Sequence, residues 1–188
     1  MRKVAFSLAL LALAGMPATA SLLGGTAAIA EEAAPLAGPD TQFVAKAIRD
    51  GMAEIEMGKA AAEKASHAEV KQFAERMVKD HGEANQKLLE LAKKHKIEAE
   101  GTYGTPPLRP TEEETAKQHE MSGMSAGQFD RAYMAALVED HEKAVSAFAD
   151  EAKNGKDAEV RDLASALLPA LEEHLRMAKS LSGQLGSQ

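Results

Sequence analysis

The sequence predicts an all-α fold, a four-helix bundle made of two antiparallel hairpins joined by a long crossover that contains a short helix. Three observations predict it. Apolar residues recur at helical spacing in four long segments. Very short turns link the segments in pairs. A proline- and glycine-rich interruption separates one pair from the other.

The chain opens with Arg2 and Lys3, continues through the apolar run Val4 to Met16, and offers small-residue cleavage sites at Ala18-Thr19-Ala20 and Ala28-Ile29-Ala30. Residues 1–30 read as a secretory signal, cut after residue 20 or 30. The apolar run spans 13 residues, short of the roughly 20 that a bilayer-spanning helix needs, so no transmembrane span is expected. Residues 31–40 carry Pro35 and Pro39 without periodicity and read as a linker.

The bundle is expected over 41–182, followed by a tail at 183–188. Helix one is placed at 41–65 on Val44, Ile48, Met52, Ile55, Lys59 and Ala62. Ser66-His67-Ala68-Glu69 then resembles a capping box. Helix two, 67–96, carries Val70, Phe73, Met77, His81, Ala84, Leu88 and Ala92. The crossover 97–125 contains Gly101, Gly104, Pro106, Pro107, Pro110 and Gly123, with a short helix introduced by Thr111–Glu114. Helix three, 126–153, carries Phe129, Tyr133, Leu137, His141, Ala144, Phe148 and Ala152 and stops at Asn154-Gly155. Helix four, 157–182, carries Val160, Leu163, Leu167, Leu171, His174, Ala178 and Leu181. The hairpins look like copies, Gln42-Phe43 matching Gln128-Phe129 and Ala68-Glu69-Val70 matching Ala158-Glu159-Val160. Two hairpins with one long crossover is the connectivity of ferritin-like bundles.

Composition narrows the function classes. The formal charge is −7, and loss of residues 1–30 makes it more negative by two basic residues. Such a surface repels phosphate backbones, so nucleic acid is excluded as a partner. With no cysteine there is no disulfide, thiolate ligand or thiol nucleophile. No phosphate-binding glycine loop or serine elbow is present, so no catalytic residue is assigned. Aromatic residues make up 4 % of the chain and Trp is absent, which leaves an aliphatic core rich in Ala and Met. Pairs such as Glu75 with Lys79, Glu90 with Lys94 and Glu172 with Arg176 read as solvated helix faces.

Chemistry is concentrated in the histidines. His67, His95 and His119 fall at helix ends or in the crossover, where a solvated imidazole needs no explanation. His81, His141 and His174 occupy core positions near the middle of three different helices, within roughly 6–8 Å of one level at 1.5 Å rise per residue. Three buried imidazoles need three acceptors unless a metal or a carboxylate gathers them. Helix one supplies Glu54 and Glu56 at that height. Glu54 is the candidate, because it shares its flank with the small residues Ala47, Gly51 and Gly58. Asp80 and Asp140 precede two of the histidines and point about 100° away, as partners of a ligand or as surface charges. Pro169 is a kink that either shapes the pocket wall or faces solvent. The candidate metal ligands are therefore Glu54, His81, His141 and His174, for one divalent ion: zinc, iron, manganese or copper. Met121 and Met124 beside His119 are the methionines singled out for a copper reading, since Met52, Met77 and Met134 sit on or beside core stripes.

Gly51-Met52-Ala53-Glu54, Val70 through Asp80-His81, Phe129 through Asp140-His141 and Glu173-His174 resemble the bacterial secreted family of domain of unknown function 4142. The resemblance covers about 41–182. It implies a ferritin-like bundle, periplasmic or associated with the outer membrane, in a family without an established activity. Di-iron ferritin-like enzymes carry a Glu three residues before a His on two helices. Here those positions are Val78, Val138 and Leu171, which argues against oxygen-activating chemistry and leaves a mononuclear centre. The competing reading is a non-catalytic envelope bundle whose histidines are structural and which pairs with itself as a homodimer or with another envelope protein.

Overall fold

The structure is a computed structural model of the 188-residue chain, and it describes residue 36, residues 38–97, residue 116 and residues 119–186. The expected export signal, most of the linker and most of the crossover, including Thr111–Glu114, lie outside the described residues.

Among the described residues four long helices form the fold: α1 (Gly38–Lys64), α2 (Ala68–Lys94), α3 (Ala126–Asn154) and α4 (Ala158–Gly186). Among the described residues there is no strand, and no helix is long and apolar enough to cross a membrane. Residues 119–122 are helical and belong to the end of the crossover. α1 starts inside the stretch expected to be linker, and α4 runs through most of the expected tail. α1 packs on α2 and α3 on α4, while α1 with α3 and α2 with α4 form the contacts between hairpins.

Two buried aspartates lock the hairpins together. Asp40, in the first turn of α1, accepts from the backbone N–H of Lys156 at 3.1 Å and of Asp157 at 2.6 Å, in the turn before α4. Asp130, one turn into α3, accepts from the N–H of Ser66 at 3.1 Å and of His67 at 2.9 Å, in the turn before α2. Each carboxylate thus serves the positive end of a helix in the other hairpin. These contacts place the start of α1 beside the end of α3 and make those neighbours antiparallel. They also set the duplication register at 90 residues, which relates Asp40 to Asp130 and Ala68 to Ala158. The match of Gln42-Phe43 with Gln128-Phe129 is one helical turn out of that register. The expected capping box at Ser66 is likewise replaced: the Ser66 hydroxyl donates to Asp130 at 2.6 Å, and no side chain caps α2 from the N-cap position.

The buried stripe of α1 is Val44, Ala47, Ile48, Gly51, Glu54, Gly58 and Ala61. It is rotated from the expected one, since Met52 and Ile55 are only partly buried. Close approach to α2 is the reason. A Cβ on Gly51 would stand 2.4 Å from the Asn85 side-chain oxygen, and one on Gly58 would stand 2.9 Å from Val78 Cγ2 and 3.1 Å from the Ala74 carbonyl oxygen. Asn85 fills the space over Gly51 and donates to the Ile48 carbonyl at 3.1 Å.

The apolar core falls into two clusters. One holds Phe73, Met77, Tyr133, Leu137 and Ala178, the other Val44, Ile48, Leu88, Phe148 and Leu171. A polar layer lies between them.

Candidate metal centre

The layer is built by one or two side chains from each helix. Gly51 and Gly58 bring α1 against α2 on the flank that carries Glu54, so its carboxylate points inward, and the residue is only 8 % exposed. α2 contributes His81, α3 His141 and α4 His174, all buried. The ring centroids form a nearly equilateral triangle with sides of 5.5, 5.4 and 5.5 Å. One ring nitrogen from each histidine lies within 4.8 Å of the other two.

The outward nitrogens of two rings are fixed. His141 Nδ1–H donates to the Leu137 carbonyl at 3.0 Å, one turn back on its own helix. His174 Nε2–H donates to Asp80 Oδ2 at 2.9 Å. Neutral rings in these tautomers aim lone pairs, His141 Nε2 and His174 Nδ1, at the centre. Glu54 Oε2 lies 2.9 Å from His81 Nε2 and 3.5 Å from His141 Nε2. The first pair is close enough for a hydrogen bond but out of line for one. Glu54 Oε2 and His81 Nε2 have only this unaligned contact with each other, and His141 Nε2 and His174 Nδ1 are buried without a hydrogen-bond partner. Buried polar atoms left this way cost about 1–3 kcal/mol each, and here four of them converge.

Electrostatics follow the geometry. Burial pushes the Glu54 carboxyl up, but His81, His141 and His174 together outweigh it and hold the group below its ordinary value. Burial pushes His141 and His174 down, against the pull of Glu54 on the first and of Asp80 on the second. A carboxylate that stays charged and imidazoles that shed protons easily form a ligand set ready for a cation.

The remaining sequence candidates separate clearly. Glu56 is exposed and pairs with Lys59 at 2.7 Å. Asp80 serves His174 on α4, not its own neighbour His81. Asp140 is half-buried, and its charge favours the protonated form of His141. Pro169 faces solvent and takes no part in the pocket wall. Met121 is buried in the core and Met124 packs partly buried against it. His95, expected to be solvated, is buried against Glu159 at 3.0 Å.

Two residues near the centre escaped sequence reasoning. Asn85 sits over Gly51. Tyr133 is 1 % exposed with an unpartnered hydroxyl, and burial, aided by the negative charge of Glu54, pushes its ionisation far up. Its polar atom two turns before His141 on the same stripe was the available signal.

Fold and site together define an all-α four-helix bundle with a buried three-histidine, one-carboxylate centre. The chain belongs to the family DUF4142, a domain of unknown function, whose profile matches residues 25–181. No curated protein matches the sequence. Among solved structures it is similar to a DUF305 fragment from Deinococcus radiodurans, with a TM-score of 0.65 at 17 % identity over 82 % of this chain and 99 % of that one. It is also similar to a DUF305 protein from Streptomyces coelicolor, with a TM-score of 0.65 at 14 % identity over 79 % and 94 %. CopM in its Cu(I)-bound form gives 0.62 at 16 % identity over 77 % and 96 %, and CopM is also known in Cu(II)-bound and Ag-bound forms. At these identities the likeness concerns the fold. The ferritin-like character rests on connectivity and not on a family relationship.

Proposed function

We propose that this protein is an exported bundle that holds one transition-metal ion on His81, His141, His174 and Glu54, for storage, buffering or protection against metal stress. The observation that carries the reading is the convergence of four buried donor atoms, none of them in an aligned hydrogen bond. His141 Nε2 and Glu54 Oε2 face each other at 3.5 Å with Nδ1 of the same ring already donating elsewhere. Two lone pairs so placed repel each other unless a cation lies between them. Asp80, accepting from His174, has the role of a carboxylate that orients a metal-bound imidazole.

Zinc, iron, manganese and copper all accept three nitrogens and one oxygen. The fold likeness to CopM puts copper first. Export rests on the N-terminal sequence pattern and places the protein in the periplasm or outside the cell. A second reading, a structural envelope bundle without an ion, is favoured by the bonds to Leu137 and Asp80, which satisfy one nitrogen on each of two rings.

Elemental analysis separates them. Protein purified from the periplasm without chelators is compared with a His81→Ala/His141→Ala double variant. Near-stoichiometric metal in the wild type, absent from the folded variant, supports the metal centre and names its ion. No metal, even after dialysis against zinc, copper, iron and manganese salts, leaves the structural reading.

A further inference from the structure

The centre is closed along the bundle axis, because the two apolar clusters fill the space above and below it. Between α1 and α2 the glycine contacts bring the backbones too close for an ion to pass. The side formed by α2 and α4 is different. There His174, itself 2 % exposed, presents one nitrogen to the cluster and the other to Asp80, whose side chain is 23 % exposed. Asp80 is thus a carboxylate that touches both a ligand of the centre and solvent.

A cation already sits on it. Arg76 Nε donates to Asp80 Oδ2 at 3.1 Å and its Nη1 donates to Met177 Sδ at 3.0 Å, while Glu173, which accepts from Arg176 at 2.6 and 2.9 Å, brings Oε1 to 3.9 Å from Arg76 Nη1. The guanidinium is held by one carboxylate and a thioether, with the Arg176-bound carboxylate of Glu173 beside it, and carboxylates and thioethers are donors that suit a metal ion. The Arg76 side chain is 41 % exposed, so it can swing into water without unpacking the core. A groove of about 400 Å³ between α2 and α4 starts at Arg76 and Met177 and runs past Phe73 toward Glu69 and Gln184. Phe73 in turn meets the His174 ring edge-on at 6.3 Å between centroids.

We propose that this face is the loading port of the centre: Arg76 holds the cation position at Asp80, Glu173 and Met177, and an incoming ion displaces it before passing to His174. The inference rests on the reading of the histidine cluster as a metal centre. It assigns Arg76 a kinetic role: removing its charge lowers the barrier to loading and to release alike, and leaves the final site unchanged.

The test follows transfer of Cu(II) or Zn(II) from a chromophoric chelator into metal-free full-length protein by stopped flow, with stoichiometry measured at equilibrium. Arg76→Met keeps the length and removes the charge. It is expected to speed uptake and release by about tenfold at low salt, in the range of electrostatic effects on association rates, at unchanged stoichiometry. Lys79→Met removes a charge from the same helix and should stay within about twofold of wild type. Arg76→Lys should stay close to wild type. Uptake by Arg76→Met equal to that of wild type, with the metal still bound, overturns the port and leaves the centre standing. Failure of wild type to take up either ion overturns both.

Discussion

Asp40 and Asp130 each serve the turn of the opposite hairpin, at donor distances of 2.6–3.1 Å and at positions 90 residues apart. Both are 1 % exposed. Hydrogen bonds to a buried charge contribute about 1.5–3 kcal/mol, and loss of the carboxylate also leaves backbone N–H groups unpaired. Asp40→Ala and Asp130→Ala are therefore each expected to cost about 2–4 kcal/mol in urea unfolding. Retained stability in either variant would mean that water replaces the carboxylate. Because the caps lie at opposite ends of the bundle, the double variant should be close to additive.

Metal should act on stability through binding to the folded state alone. At a free ion concentration a thousand times the dissociation constant, the gain is about 4 kcal/mol. A rise in Tm on adding the native ion to wild type, absent in His141→Ala, is the expected result in a thermal melt.

Glu54→Gln keeps the shape of the side chain and removes the charge. Affinity for a divalent ion should fall by at least about tenfold, equivalent to roughly 1.4 kcal/mol, while the metal-free fold stays intact. Competition titration against a chelator measures this directly. Unchanged affinity would show that three imidazoles suffice and that Glu54 is not a ligand.

Acid should weaken the metal-free protein in two steps. His141 and His174 titrate below their ordinary 6.5 in the folded state, so between that value and their folded values the unfolded chain binds more protons, and stability falls as pH falls. Glu54 and Asp80 are held below 4.5 and 3.8. Their contribution is present above those values and is lost as pH drops through the folded ones. Urea midpoints measured from pH 8 to about pH 2 should decline first below about 6.5 and again below about 4.5. A midpoint that rises between pH 7 and pH 5 would contradict the burial of these rings as neutral groups. His141→Gln should flatten the first step.

Gly51→Leu tests the close approach of α1 and α2. The first added carbon would already stand 2.4 Å from the Asn85 side-chain oxygen, so Asn85 must give up its bond to the Ile48 carbonyl and the rest of the leucine side chain pushes the helices apart, at an expected cost of about 1–3 kcal/mol. Separation also moves Glu54 away from His81. Metal affinity should fall with stability here, whereas Gly127→Ala, with open space around it, should leave both unchanged.

The apolar spacing of the sequence determined four helices, their pairing and the interruption between the pairs, because helical periodicity is a local property of the chain. Val70, Phe73, Met77, Leu137, Leu167 and Ala178 were legible as core for that reason, and all are buried. The inward stripe of α1 was misread at Met52 and Ile55. Hydrophobicity alone favours the larger residues, and only the packing partner shows that α2 demands glycines on that face. The histidines could be assigned to one level from rise per residue. Which nitrogen each ring turns inward, and that Asp80 serves His174 across the bundle, depends on side-chain rotamers and helix rotation that no spacing encodes. The same holds for Asp40 and Asp130: at the sequence level they are acidic residues near helix starts. They become the clasps between two hairpins only when the tertiary fold brings a distant helix N-terminus within reach of each.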